Sequence, residues 1–302
     1  MNIFSIIIPT FNRPVQLKAC LEALTRQLYP KNLFEVIVVN DGGNADLDEI
    51  VGTLQGSLQI QLVRQENTGP AGARNNGVAH ATGKFIAFTD DDCTPDESWL
   101  EVLSRNLEED PSRMYGGHTV DALKNNVYSS ASQTLIDFLY SYYNADPQRA
   151  QFFTSNNMAM TRHMFVAAGG FNTSFYRASA EDRELCDRWL HLGYRMIFLP
   201  DAVILHHHEL NFGSFWKQHF NYGAGAWRFL ECRQMRGNGK LNFEPLRFYL
   251  KLVASPWKQN LRHPLYISLL MLLSQIANAT GFVWAILKGM SRQPGLPKPA
   301  DS

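Results

Sequence analysis

This 302-residue chain is short of familiar signatures, and each gap removes a class of function. Its four cysteines, Cys20, Cys93, Cys186 and Cys232, form no C-x-x-C pair. That speaks against a zinc knuckle or a disulfide framework and suits a reducing compartment. Lys+Arg and Asp+Glu both number 28, so net charge is zero and no nucleic-acid partner is expected. "GPAGAR" lacks the G-x-G-x-x-G spacing of a dinucleotide site, and "GVAHATGKF" lacks both P-loop spacing and a Ser/Thr after its lysine. "HHHELNF" is not H-E-x-x-H, and no G-x-S-x-G elbow occurs. "MNIFSIIIPTFNRP" has no basic region followed by a long apolar stretch, so no signal peptide is expected. The sequons at Asn172 and Asn278 are then read as chance matches.

What is present is an ordinary globular composition, 45% hydrophobic and 19% charged. Ile3–Ile8, Phe34–Asn40, Gln59–Val63 and Phe85–Phe88 read as strands. Helical spacing at Val15–Leu28, Leu47–Leu54 and Ala71–Ala81 alternates with them, which implies a mainly parallel, twisted sheet covered on both faces. Pro95–Leu107 reads as a further helix and Met114–Val120 as a further strand. The middle third, about residues 121 to 208, reads as irregular apart from a helix over Ala180–Leu192. A strand pair, Tyr194–Leu199 and Ala202–His206, is expected around Pro200-Asp201. From Arg228 onward there are 11 Lys/Arg against three Asp/Glu. Within that basic segment "YISLLMLLSQIANATGFVWAIL" has about the ~20 residues needed to span a bilayer. Its Ser, Gln, Asn and Thr make a helix lying in the membrane interface the better expectation.

The strand over Phe85–Phe88 runs into Asp90-Asp91-Asp92. Three neighbouring carboxylates, each with a solution pKa near ~3.9, repel one another unless something intervenes. A solvated turn is one reading and a divalent cation held by carboxylate oxygens is the other. Thr10, Asp41 and the triplet all fall at carboxyl ends of expected strands, where such sheets bind ligands. That convergence favours the cation.

"IIIPTFNR", "VIVVNDGG", "ENTGPAGARNNGVAHATGKFIAFTDDD", "GGFNTSF", "AEDRELCDRWLHLGYR" and "PDAVILHHH", in this order, resemble the family 2 glycosyltransferases. The resemblance runs from about Ile3 to His208. It implies an α/β GT-A fold, Rossmann-like, with a C-terminal helical, membrane-associating extension. Residues 1–120 would be the nucleotide-sugar half, 121–210 the acceptor-binding and catalytic half, and 211–302 the helical tail. It also implies inverting transfer from a nucleotide-sugar donor, UDP-linked by preference, to a glycan or lipid-linked acceptor at the cytoplasmic face of the cell membrane.

The same resemblance assigns residues. Asp90 and Asp92 match the D-x-D motif, which with His206 would bind Mn²⁺ or Mg²⁺, Asp90 also reaching the nucleotide. Pro9, Thr10, Arg13, Asp41 and Arg74 would line the nucleotide pocket, Asp41 reading the base. Asp182 matches the catalytic base, and Glu181, Asn156 and Asn157 would face sugar or acceptor. Each has a plainer alternative. Glu181 and Asp182 could act only as anions at a helix N-terminus, and Arg74 could make an ordinary salt bridge. A sugar nucleotidyltransferase would need a glycine-rich loop after the first strand, and "PTFNRPVQ" has no glycine. A catalytically silent nucleotide-sugar scaffold would have lost metal or base carboxylates, and all are present.

Overall fold

Phe4–Thr10 (β1) shows why the chain folds as layers. Phe4, Ile6 and Ile8 enter one core with Leu17, Leu21, Trp99 and Leu103, whereas Ile7 enters another with Val39, Ala73, Leu185 and Trp189. The two-residue period of a strand sends alternate side chains to opposite faces, and here both faces are covered. Each fully buried side chain of this size contributes roughly 1.5–3 kcal/mol.

The structure is a computed structural model and describes residues 3–175, 179–237, 244–259 and 261–289. The other strands are β2 (Phe34–Asp41), β3 (Gln59–Gln65), β4 (Phe85–Phe88), β5 (Cys93–Pro95), β6 (Arg113–Asp121), β7 (Met158–Thr161) and β8 (Arg195–His206). They make one sheet in the order β3-β2-β1-β4-β7-β6-β8-β5. β1, β2, β3 and β4 pair in parallel, as do β6 and β8, while β7 joins the two groups antiparallel to both. Helices α1 (Pro14–Thr25), α2 (Asp48–Leu54), α3 (Gly69–His80), α4 (Trp99–Glu109), α6 (Arg162–Ala167) and α7 (Glu181–His191) connect or cover the strands.

Three expectations need correction. The pair around Pro200-Asp201 is one strand, β8, whose two halves both run parallel to β6 with a register shift opposite Gly117/His118. A proline without an N–H fits such a bulge, so no reversal is needed. The helix expected at Pro95 starts at Trp99, because Pro95 is taken into β5. The stretch read as irregular contains α5 (Val127–Tyr143), capped by Asn126, whose side chain accepts from the Tyr128 and Ser129 amides.

Beyond the sheet lie α8 (Phe212–Met235), α9 (Leu246–Lys258) and α10 (Pro264–Lys288). With α5 they form a core of their own around Leu135, Phe138, Phe215, Phe248, Leu252 and Met271. α8 and α10 meet backbone to backbone. A Cβ on Gly223 would stand 1.8 Å from the Asn278 carbonyl oxygen, and one on Gly281 would stand 1.9 Å from that of Phe220. α10 is long and apolar enough to cross a membrane by length and composition, and Leu265, Leu269, Leu272, Ile276, Val283 and Leu287 are exposed along it.

Candidate active site

β1, β2 and β4 run side by side in one direction, so the residues after them share one rim of the sheet. β5 follows the triplet and runs antiparallel to β8, with Cys93 opposite His206. That register delivers Asp92 to the last residue of β8, where His206 Nε2 lies 3.3 Å from Asp92 Oδ1.

The turn gives each aspartate a different partner. Arg74 Nη2 donates to Asp90 Oδ1 at 2.6 Å. Thr10 Oγ1 donates to Asp91 Oδ2 at 2.7 Å, and Arg13 Nη1 reaches Asp91 Oδ1 at 3.2 Å and Asp92 Oδ2 at 2.9 Å. Burial and then the charge of Asp92 push Asp91 up to about 6, although Arg13 and Thr10 pull it down. Burial acts on Asp92 in the same sense, but the hydrogen bond and charge of His206, with Arg13, hold it well below the usual carboxylate range. His206 is raised in return by Asp92, against its own burial. The repulsion inherent in the triplet is thus met by two arginines, a threonine and a histidine.

Asp92, Cys93 and His206 each place a ligand-type atom within 4.8 Å of the others. A carboxylate oxygen beside an imidazole nitrogen is a donor set that Mn²⁺ accepts, whereas Mg²⁺ prefers oxygen alone. The buried Cys93 thiol is raised well above its usual value by burial, which leaves it a weak donor. Asp90 is not in this group, being held by Arg74 instead.

Arg74 is itself buried and joins two acids, because its Nη1 donates to Glu181 Oε1 at 3.2 Å. Its guanidinium lies over the Phe171 ring, 5.5 Å from the centroid. Gly169 and Gly170 have φ of +88° and +65°, backbone that favours glycine, and lead directly into Phe171. Burial raises Glu181 and Arg74 opposes the rise.

Glu181 and Asp182 open α7, and the preceding Ala180 has φ 66° and ψ 10°. A left-handed alanine costs roughly 1–2 kcal/mol, a local strain at the point where the two carboxylates are aimed. Asp182 accepts from the Arg183 amide at 2.7 Å. Burial, then the charge of Glu181, push Asp182 up to about 7. Glu184, on the same helix, is fully buried. It accepts from Arg188 at 2.8 Å and from Arg236 at 2.6 Å, and Arg236 also donates to Asp187 at 2.6 Å. The helix that carries Asp182 is thereby tied to the end of α8.

Asp41 is fully engaged at the start of α3. Its Oδ1 accepts from Gln65 Nε2 at 2.7 Å and the Thr68 amide at 2.8 Å, and its Oδ2 from the Gly69 amide at 2.9 Å. An anion at a helix N-terminus is favourable in itself, which helps to account for its burial. Asn156 accepts from Thr154 Oγ1 at 2.7 Å. Asn157 accepts from Trp99 Nε1 and donates to the Ala202 carbonyl, both at 2.9 Å, and is fully buried. Asn157 is therefore turned into the framework rather than toward a ligand. Every other residue expected in the site lines one cavity of about 1450 Å³. Ligand sites commonly occupy roughly 300–1,000 Å³, so there is room for a donor and part of an acceptor.

The sequence reading missed the far wall, made by Leu135, Ile136 and Leu139 of α5, Phe248 and Leu252 of α9, and Phe282, Val283 and Ile286 of α10. The spacing of Ala131, Leu135 and Phe138 could have revealed α5, had Ser and Tyr between them not masked the period. His219 on α8 was also missed. It is fully buried, and neither ring nitrogen has a hydrogen-bond partner among the described residues.

Residues 5–168 match the family model for glycosyl transferase family 2. Glycosyltransferase AglE of Haloferax volcanii is 30% identical over 230 residues, covering 73% of this chain and 72% of that protein. Probable glycosyltransferase YdaM of Bacillus subtilis is 27% identical over 236 residues, covering 73% of this chain and 54% of its own length. Among solved structures, mannosyltransferase PcManGT from Pyrobaculum calidifontis, in complex with GDP-Man and Mn²⁺, superposes with a TM-score of 0.63 at 20% identity, over 96% of this chain and 82% of that one. S. aureus TarS 1-349 in complex with UDP-GlcNAc gives 0.56 at 17% identity, over 95% of this chain and 92% of that one.

Proposed function

The chain belongs to glycosyl transferase family 2, and from that premise we propose that it is an inverting, metal-dependent transferase with Asp182 as its general base. One observation carries this reading. Asp90, Asp91, Asp92 and Glu181 each face an arginine or histidine within salt-bridge distance, whereas Asp182 has no such cation among the described residues. An ion-paired carboxylate is a poor base at neutral pH. One raised to about 7 by burial and a neighbouring acid is well matched to accept a proton.

The donor is a nucleoside-diphosphate sugar, UDP-linked in our reading. Pro9, Thr10, Arg13, Asp41, Arg74 and Asp90 form the wall against which the nucleotide lies. Asp92 and His206 would hold Mn²⁺ or Mg²⁺, which when bound neutralises the leaving diphosphate, and Asp90, paired with Arg74, would reach the nucleotide. PcManGT and TarS, the one solved with GDP-Man and Mn²⁺ and the other with UDP-GlcNAc, make such a donor reasonable while leaving two bases to compare. The acceptor hydroxyl attacks the sugar C1 from the face opposite the diphosphate and gives its proton to Asp182. The C1–O bond to phosphate breaks, its electron pair leaves with the nucleoside diphosphate, and the anomeric configuration inverts. Glu181 orients Arg74, and Asn156 stands at the sugar side. Residues 1–120 serve the donor, 121–210 the acceptor and catalysis, and 211–302 hold the enzyme to the cytoplasmic membrane face. There a lipid-linked or cell-surface glycan is the substrate, and well-placed basic residues add roughly 1 kcal/mol each of attraction to anionic lipid.

Titration calorimetry with UDP and with GDP, each with Mn²⁺ and then EDTA, tests the donor site in wild type and Asp92→Ala. Metal-dependent binding of one nucleotide, lost in the variant, is the expected result. Equal binding in EDTA overturns the metal assignment, and no binding of either nucleotide overturns the donor assignment.

A further inference from the structure

Asp92 divides its two oxygens between different neighbours. Oδ2 faces Arg13 at 2.9 Å, while Oδ1 faces His206 Nε2 at 3.3 Å and Cys93 Sγ at 4.0 Å. The register of β5 and β8 accounts for this corner. Cys93 and His206 stand directly opposite each other, and opposed residues of an antiparallel pair project to the same face. Carboxylate, thiol and imidazole atoms thus meet within 4.8 Å of one another, the one such trio among the described residues. Nothing in the transfer reaction calls for the thiol.

The three donors suit a different ion from the one that clamps a diphosphate. Zinc bonds of about 2.0–2.3 Å in a tetrahedron place neighbouring ligand atoms roughly 3.3–3.6 Å apart. The oxygen–nitrogen edge already has that length, and the oxygen–sulfur edge is slightly longer. Sulfur selects soft or borderline ions, whereas Mn²⁺ and Mg²⁺ favour octahedral, oxygen-rich surroundings. Burial keeps the thiol protonated in the metal-free protein, but a coordinating Zn²⁺ displaces that proton outright. The Asn156 amide, which donates to Cys93 Sγ at 3.6 Å, favours the resulting thiolate.

We propose that Asp92, Cys93 and His206 form a thiophilic metal site, and that Zn²⁺ or Cd²⁺ bound there inhibits the transferase by closing its donor site. Zn²⁺ exchanges the Cys93 S–H bond for a Zn–S bond and takes the neutral Nε2 of His206, and the displaced protons go to solvent. An octahedral ion held by Asp92 and His206 alone keeps most of its positions for diphosphate oxygens. A tetrahedral ion held by three side chains keeps a single one, so it fills the corner yet clamps a diphosphate poorly. This rests on the reading of Asp92 and His206 as metal holders, to which it adds a ligand and an ion of opposite effect.

Cd²⁺ is titrated into the full-length protein in thiol-free buffer, because a cadmium–thiolate bond has its own ultraviolet charge-transfer band. A band saturating at one equivalent is expected, lost in Cys93→Ser and kept in Cys232→Ser, whose thiol belongs to another cluster. Against a chromophoric chelator, Cys93→Ser should bind Zn²⁺ at least about tenfold more weakly, the loss expected even for a partner outside the metal's own ligands. His206→Gln keeps the thiol and should weaken Cd²⁺ binding by a similar factor, which decides the matter if the serine variant does not fold. In calorimetry Zn²⁺ should abolish Mn²⁺-dependent binding of UDP or GDP, and Cys93→Ser should resist it. A band that survives Cys93→Ser, or is indifferent to His206→Gln, lies on another cysteine and overturns the site. Zn²⁺ that supports nucleotide binding as well as Mn²⁺ does overturns the inhibition. No nucleotide binding with Mn²⁺ beside an intact Cys93-dependent band sinks the donor reading and spares the thiophilic site. Mn²⁺-dependent binding without a band sinks the thiophilic site alone.

Discussion

At the sheet rim Asp90, Asp91, Asp92 and Glu181 share Arg13, Arg74 and His206, whereas the other end of the cavity is shaped by Leu139, Phe248, Phe282 and Ile286. The rim is held by charge pairs between residues distant in sequence, and the helical end by side-chain bulk and two glycines. The two ends should therefore fail differently. Removing one partner at the rim leaves a buried charge uncompensated, while reshaping the helical wall changes only how much apolar surface is covered. Asp182 sits where the two regimes meet, beside Glu181 and with no ion-pair partner among the described residues.

The largest effect on function should come from Asp182→Asn. Loss of a general base typically costs 10²–10⁴-fold in rate, so kcat should fall by about that range while nucleotide affinity stays within about twofold. In wild type, kcat/KM should rise about tenfold per pH unit up to roughly pH 7 and then level, as Asp182 loses its proton. The stability sign is opposite. A carboxylate raised in the fold favours its protonated form, so its contribution is present below the unfolded pKa near ~3.9 and is lost as pH rises toward about 7. Asp182→Asn should then melt higher than wild type at pH 8 and lose that advantage at pH 4. Thermal melts at both values check it, and a lower melting temperature at pH 8 would count against the shifted carboxylate.

Arg74→Ala sharpens the comparison from the rim side. It strands Asp90 and Glu181 together, and breaking a buried pair typically costs about 3–5 kcal/mol. Urea unfolding should show that loss. Arg74→Lys should recover only part of it, because a single ammonium does not reproduce the fork that reaches two carboxylates. A loss under 1 kcal/mol in Arg74→Ala would mean that water reaches both acids.

Much of the rim was legible because its cues are local. β-branched runs marked β1 and β2, and adjacent aspartates after a short strand are conspicuous wherever they fall. Their partners were less legible. Glu181 meets Arg74 across 107 positions, and no spacing rule links them. Pro200-Asp201 looked like a reversal because proline and aspartate favour turns. The register with β6 decided for a bulge, and that register is a tertiary fact. Asn157 was read as a ligand contact by type and position, yet its hydrogen-bonding demands are met by the fold itself. The helical wall was least legible, because an apolar helix reads alike whether it faces a core, a lipid or a cavity.

The smallest expected effect concerns His219, buried on α8 with its ring 4.3 Å from that of Phe215. Burial first, and then the charge of His208, push it down to about 3, so it is neutral in the fold at neutral pH. A histidine depressed in this way contributes stability above its unfolded pKa near ~6.5 that is lost as pH falls toward about 3. His219→Leu, similar in volume and without unsatisfied nitrogens, should gain about 1–3 kcal/mol, the penalty of leaving such a group unpaired. It should also flatten the loss of stability below pH 6. Melts at pH 5 and pH 8 read both, with the larger gain at pH 5. If instead the variant melts lower and loses activity, the ring nitrogens have a partner in the working enzyme, and the helical end of the cavity is not purely apolar.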